Sequence, residues 1–309
     1  MKWCLSNPKY KKIYDSLGKP RPFDVTLRDG LQGLNKQEQL AFTSLKKTSL
    51  FHEIMEKHSP ESIESGSLVS NHIYPIFRDT IDLYQYIESN QKIHNRDKLQ
   101  NYIFVPNYKK CVEAINYGFI NHFSFVTSVS ESFLLKNIRK SVKENWEELG
   151  EMIYAIDHHF AKKDDYTTKI YVSCVTECPI DGKMDNNLIV EKIVHLNNLH
   201  FDTICLSDTC GTIRLCDFTY IVDKCCELGV SYDKLALHLH VQNGKEDMVE
   251  EIMIAALERK IIHFDVSCLE SGGCSVTIRK EELAPNLSYE LYYKVLTNYI
   301  LKKTGSYKS

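Results

Sequence analysis

The stretch Leu235-Ala236-Leu237-His238-Leu239-His240 alternates between leucine at 237 and 239 and histidine at 238 and 240. Successive side chains of a strand point to opposite faces, so the two imidazoles share one face and the two leucines the other. Outward from this stretch, further short β-rich runs lie at residues 23–26, 62–64, 101–105, 122–126, 169–173, 203–207 and 263–267, alternating with longer helical patterns. Among the latter, residues 188–199, 216–228 and 246–259 repeat apolar side chains at three- and four-residue steps. Strand and helix in strict alternation is the pattern of βα units on a parallel sheet, and eight strands is the number that closes one. The expected fold is therefore α/β, a (β/α)8 TIM barrel.

A chain of 309 residues with 43% hydrophobic content can bury one large core. No internal repeat, low-complexity segment or Pro/Gly/Ser-rich linker divides it, so a single domain over residues 23–309 is expected, preceded by an extension at 1–22 that packs across the barrel's bottom or stays loose. A formal net charge of −3 leaves no excess of cations for a nucleic-acid backbone or an anionic membrane. Eleven cysteines, an odd number scattered along a long chain, suit a reducing compartment. The N-terminal stretch lacks the apolar core of a secretion signal, and no window is apolar for long enough to cross a bilayer, so the cytoplasm is the expected location.

Barrels of this class carry their chemistry at the C-terminal ends of the strands. The first strand leads there into Arg28-Asp29-Gly30-Leu31-Gln32, a cation beside a carboxylate in a segment that is also an ordinary surface turn. Twice the strand rise puts the Cβ atoms of His238 and His240 about 7 Å apart, close enough for both rings to converge on one ion, where a lone histidine would read as a hydrogen-bonded core residue. The last strand is followed by Glu270-Ser271-Gly272-Gly273-Cys274, whose thiol is either a buried structural group or a reactive one that the glycines let a ligand approach. Glu64 and Asp208 lie at the ends of the second and sixth strands, where each could also cap the next helix.

Taken in order, these residues resemble the DRE-TIM metallolyases, and within them the hydroxymethylglutaryl-CoA lyases. The similar segments are Arg28-Asp29-Gly30-Leu31-Gln32, Ile63-Glu64-Ser65-Gly66-Ser67-Leu68-Val69-Ser70, Val105-Pro106-Asn107, Tyr171-Val172-Ser173-Cys174, Cys178-Pro179, Gly182-Lys183, Asp208-Thr209-Cys210-Gly211, His238-Leu239-His240 and Gly272-Gly273-Cys274, within residues 23–291. The resemblance implies Asp29, His238, His240 and Asn286 as metal ligands, and Arg28 and Gln32 as substrate contacts. It further implies Arg28 as the group that stabilises enolate charge, Glu64 as its orienting partner, Asp208 in support of proton transfer, and Cys274 acting from the lid loop. An acyl-CoA substrate and a homodimer are implied as well. A mixed His/Asp/Asn ligand set suits a six-coordinate divalent ion such as Mg2+ or Mn2+.

Two departures from the lyase pattern stand out. Val241 follows the second histidine where the family places an acid or amide, and valine accepts no hydrogen bond; Gln242 is the neighbour that could substitute. Glu270-Ser271 and Ser275 flank the cysteine loop with residues unlike the family's, and a carboxylate there repels an anionic substrate. The leading expectation is a metal-dependent carbon–carbon lyase that cleaves a 3-hydroxy-3-methylglutaryl-CoA-like thioester to acetyl-CoA and acetoacetate. The alternatives are a Claisen-type acyltransferase joining acetyl-CoA to a 2-oxo acid, and a metal-binding barrel without turnover.

Overall fold

The computed structural model describes residues 6–93, 99–272 and 284–305. Eight parallel strands close into a barrel: β1 (Pro22–Asp24), β2 (Ser62–Ser67), β3 (Gln100–Phe104), β4 (His122–Ser128), β5 (Thr167–Ser173), β6 (Thr203–Asp208), β7 (Leu235–Leu239) and β8 (His263–Val266). Each strand pairs with its neighbours in chain order, and β8 closes on β1 with Phe23 opposite Asp265. This is the fold expected from the alternation. The strand bounds differ from the sequence reading by one to three residues, and two of these shifts have a clear physical reason. β2 runs on past a register shift between Glu64 and Gly66 to pair Ser67 with Phe104, and β5 begins inside a polar stretch that reads as a turn, where Thr167 donates to the Tyr102 hydroxyl at 2.8 Å.

The strand alternation sorts the molecule into two interiors. Outward-facing Ile204, Leu206, Leu237, Leu239, Phe264 and Val266 join one continuous apolar layer with Ile189, Ile193, Phe218 and Ile221 of the surrounding helices. The barrel lumen is smaller and more polar, holding Phe23, Tyr102, Tyr171, Cys205 and Ala236 together with buried Glu64, Lys169 and Asp265. Charges enter a lumen of this kind only in pairs or networks, because an unpaired ion taken out of water is strongly penalised.

Local signals set the helix ends. Asn35 with Glu38 and Ser141 with Glu144 form reciprocal caps, while Asn107, Ser130 and Ser288 each accept a backbone N–H of the turn that follows. The N-terminal extension is helical over Pro8–Ser16 and packs on the last helix, Tyr289–Lys303, with Tyr14 buried and the Lys9 ammonium on the Thr304 carbonyl at 2.5 Å. No helix among the described residues is long and apolar enough to cross a membrane.

Candidate metal centre

At the end of β7 the alternation turns His238 and His240 toward the barrel axis, their ring centroids 5.0 Å apart. Between β1 and the first long helix, residues Thr26–Gly30 form a single π-type turn that tucks Arg28 and Asp29 inward, both buried. Such wide turns tend to occur at functional sites. The outcome is a cluster in which one ligand atom each from Asp29, His238 and His240 lies within 4.8 Å of the others, all three residues buried. The His238 Nε2 to Asp29 Oδ2 distance is 3.8 Å.

Asn286 reaches the same point from the far end of the chain. Its amide nitrogen lies 2.9 Å from Asp29 Oδ2 and 3.2 Å from the Ser271 carbonyl, and its buried Oδ1 has no partner among the described residues. A buried acceptor without a donor is costly, and a cation beside it would satisfy it. The backbone of Gly272 passes so close that a Cβ there would collide with the Asn286 amide and lie 2.8 Å from Asp29 Oδ2, so any side chain at that position would displace the Asn286–Asp29 pair.

The ring nitrogens facing away from the cluster are each engaged. His238 Nδ1 bonds Asp265 Oδ2 at 3.1 Å, and His240 Nδ1 bonds the Ala284 carbonyl at 2.7 Å. Both partners are acceptors, so each ring carries its proton on Nδ1 and turns a free Nε2 lone pair to the cluster. Burial, reinforced by the neighbouring His238, lowers the His240 pKa to about 4, which keeps that imidazole neutral and able to ligate at physiological pH. Two imidazoles and a carboxylate, with the Asn286 amide beside them, are a donor set that fits a divalent cation.

Arg28 adjoins the cluster. Its Nη1 donates to Asp29 Oδ1 at 2.5 Å, its Nε to Glu64, and its guanidinium lies over the rings of Tyr171 at 4.9 Å and Phe104 at 5.3 Å. Burial opposes the charge, but Glu64 and Asp29 outweigh that effect and hold its pKa well above the ordinary arginine value. Glu64 also accepts from the Ser124 and Tyr171 hydroxyls, at 3.1 Å for the latter. It lies behind Arg28 and lines no part of the cavity above.

That cavity encloses about 910 Å3 over the mouth, with Arg28, Asp29, Gln32, His238 and His240 on its floor. Leu68, Phe104, Val126 and Phe133 supply apolar wall, and Lys110, Lys136, Arg139 and Lys140 line the outer side. Gln32 also stands near the Tyr74 hydroxyl, 3.5 Å away.

Asp208 is placed elsewhere. Its carboxylate accepts the N–H groups of Thr212 at 3.0 Å and Ile213 at 3.3 Å, and burial raises its pKa to about 7. It holds the loop after β6 and does not cap the helix that follows, whose N-cap position is Arg214, while Ser207 and Thr209 on either side line the cavity. Cys274 and Ser275 lie outside the described residues. Gln242 does not take the place left by Val241, because its amide donates to the Cys210 carbonyl at 2.8 Å. Lys169, Ser124 and Asp265 escaped the sequence reading, and Tyr171 entered it only within a similar segment, though the inward parity of Lys169 and Tyr171 in one strand, and of Asp265 between Phe264 and Val266, was a usable signal.

A mitochondrial hydroxymethylglutaryl-CoA lyase of Arabidopsis thaliana is 26% identical over 267 residues, covering 86% of this chain and 51% of the relative. A hydroxymethylglutaryl-CoA lyase of Bacillus subtilis is 27% identical over 265 residues, covering 82% of this chain and 80% of the relative. The chain resembles the hydroxymethylglutaryl-CoA lyases. It spans about half the length of the Arabidopsis lyase. The structure of a lyase from Acinetobacter baumannii in complex with coenzyme A and 3-methylmalate superposes with a TM-score of 0.70 at 20% identity, covering 92% of this chain and 88% of that one, and shares the barrel fold. No protein-family model matches the chain.

Proposed function

We propose that this protein is a divalent-metal-dependent carbon–carbon lyase that cleaves a 3-hydroxy-3-methylglutaryl-CoA-like thioester into acetyl-CoA and acetoacetate. The observation that carries the reading is the convergence of Asp29, His238 and His240 on one point, with the Arg28 guanidinium bonded to Asp29 on the floor of the same cavity. Asp29, His238, His240 and Asn286 would hold the cation. When bound, a divalent ion such as Mg2+ or Mn2+ supplies Lewis acidity, lowering the pKa of a substrate hydroxyl and offsetting a nearby carboxylate.

The chain's own residues supply the rest. Breaking the bond beside a tertiary alcohol leaves negative charge on the departing acyl thioester as an enolate. Arg28, fixed by Glu64 and by two aromatic rings, presents a cation that does not have to reorient as that charge develops. Gln32, on the same floor, orients the substrate, and Cys274 takes part in the reaction, as the resemblance to the lyases implies. The lysines and arginine along the outer side of the cavity suit the phosphates of a coenzyme A tail, the group named in the Acinetobacter complex. The protein acts as a homodimer in this reading.

The test is to supply hydroxymethylglutaryl-CoA with Mg2+ or Mn2+ and to measure acetoacetate and acetyl-CoA. Turnover that vanishes on chelation and in His240→Ala is the expected result. Acetoacetate no higher than in the His240→Ala control rejects the proposal, and release of free coenzyme A from acetyl-CoA with 2-oxo acids would show acyl transfer instead.

A further inference from the structure

Lys169 stands in the lumen beneath the candidate metal centre with its side chain 2% exposed, and its Nζ lies 2.5 Å from Asp265 Oδ1. The ammonium also rests over the ring of Phe23 at 3.3 Å and that of Tyr171 at 4.7 Å, which fixes its position from two sides. The other oxygen of Asp265 bonds His238 Nδ1 at 3.1 Å and lies 3.7 Å from the Cys205 thiol. Lys169, Asp265 and His238 thus form a line from the middle of the barrel to its mouth, drawn from β5, β8 and β7. None of the three residues is near another in sequence; Lys169 and Asp265 are 96 positions apart.

A buried lysine and aspartate could serve the fold alone, but this pair is anchored to a ring whose opposite nitrogen faces Asp29. An ionised carboxylate only accepts hydrogen bonds, so it selects the ring form with the proton on Nδ1 and leaves the Nε2 lone pair for the cluster. Lys169, held over two rings and 2.5 Å from the other oxygen, fixes that carboxylate in place within the buried lumen. We propose that Lys169 and Asp265 are a positioning pair that holds His238 in its Nδ1–H form and so sets its strength as a metal ligand. The effect on metal affinity rests on the reading of Asp29, His238 and His240 as a metal site; the effect on the ring does not.

The double variant Lys169→Met/Asp265→Leu removes both charges together and leaves neither stranded, which favours a folded protein. Two-bond 1H–15N spectra of the chelated full-length protein, with the His238 signals assigned by comparison with His238→Gln, are expected to show Nδ1–H in the wild type and a mixture of both ring forms in the double variant. Calorimetry with Mn2+ alone as the probe is expected to give about 10- to 100-fold weaker binding in the double variant, the range typical for loss of a ligand's outer hydrogen-bond partner. The analogous Lys47→Met/Asp79→Leu variant, at a buried pair outside the cavity, is expected to bind Mn2+ as the wild type does. An Nε2–H ring in the wild type, or unchanged Mn2+ affinity in the double variant, would overturn the proposal. A wild type that takes up no Mn2+ while showing the Nδ1–H ring would reject the metal-site reading and uphold the pair's action on His238.

Discussion

Arg28 and Asp29, adjacent in sequence, are bonded side chain to side chain at 2.5 Å with 8% and 6% of those side chains exposed. Adjacent residues of a regular strand point apart; the π-type turn over Thr26–Gly30 is what brings this pair to one side. The candidate cation site and the arginine that would meet developing negative charge are thereby fixed relative to one another.

Arg28→Lys keeps a charge but loses the planar fork that serves Glu64 and Asp29 at once. Turnover of the thioester is expected to fall about 10²-fold or more, in line with the loss of a preorganised donor. Steady-state kinetics at saturating Mn2+ measures this, and an unchanged kcat would remove Arg28 from the reaction.

Metal binding should appear as stability. A ligand that binds only the folded state at 100 times its Kd contributes about 2.7 kcal/mol, so Mn2+ is expected to raise the melting temperature of the chelated protein by several degrees. His240→Ala or Asp29→Asn should abolish the increment, and thermal scans with and without Mn2+ would show it.

Asp208 gives a pH signature. Its folded pKa of about 7 lies above the ordinary 3.8, so between those values the unfolded chain releases a proton that the folded chain retains. Stability attributable to this group is therefore greatest below pH 4 and declines as pH rises toward 7, by about 1.4 kcal/mol per pH unit at most. Asp208→Asn should flatten that part of the denaturation profile and, because the carboxylate does not line the cavity, leave kcat within a few-fold of wild type. A 100-fold loss of kcat would restore Asp208 to the chemistry.

Val241→Asp inserts an acid where the lyase pattern carries an acid or amide after the second histidine. Val241 belongs to the apolar layer outside the barrel, and its N–H is held by the Pro285 carbonyl at 2.8 Å. A carboxylate there lacks a partner, so the variant is expected to lose about 2 kcal/mol or more of stability without gaining Mn2+ affinity. Urea denaturation and calorimetry would test the two halves separately, and tighter metal binding would show that an acid at 241 reaches the centre.

The eight strands and the shared face of His238 and His240 are legible in the sequence because a two-residue period is a local property. Where β2 ends is not: Ser65-Gly66-Ser67 carry no β-branched or aromatic side chain, and their pairing with β3 across a register shift sustains the strand. Asp208 sits one step of the same alternation away from Ser207, which lines the cavity, so a carboxylate at a strand's end does not by itself say which way it is turned. The link from Lys169 to Asp265 is created by barrel closure, which brings strands far apart in sequence onto one axis, and nothing local to either residue announces it.

The contact between Asn286 and Asp29 joins positions 257 residues apart, across the seam where the last strand meets the first. A cation seated there would work as a rivet as well as a reagent, clamping the two ends of the chain that an opening barrel must separate. Metal occupancy would then report whether the ring has shut, and the stripped protein should begin to unravel along that seam.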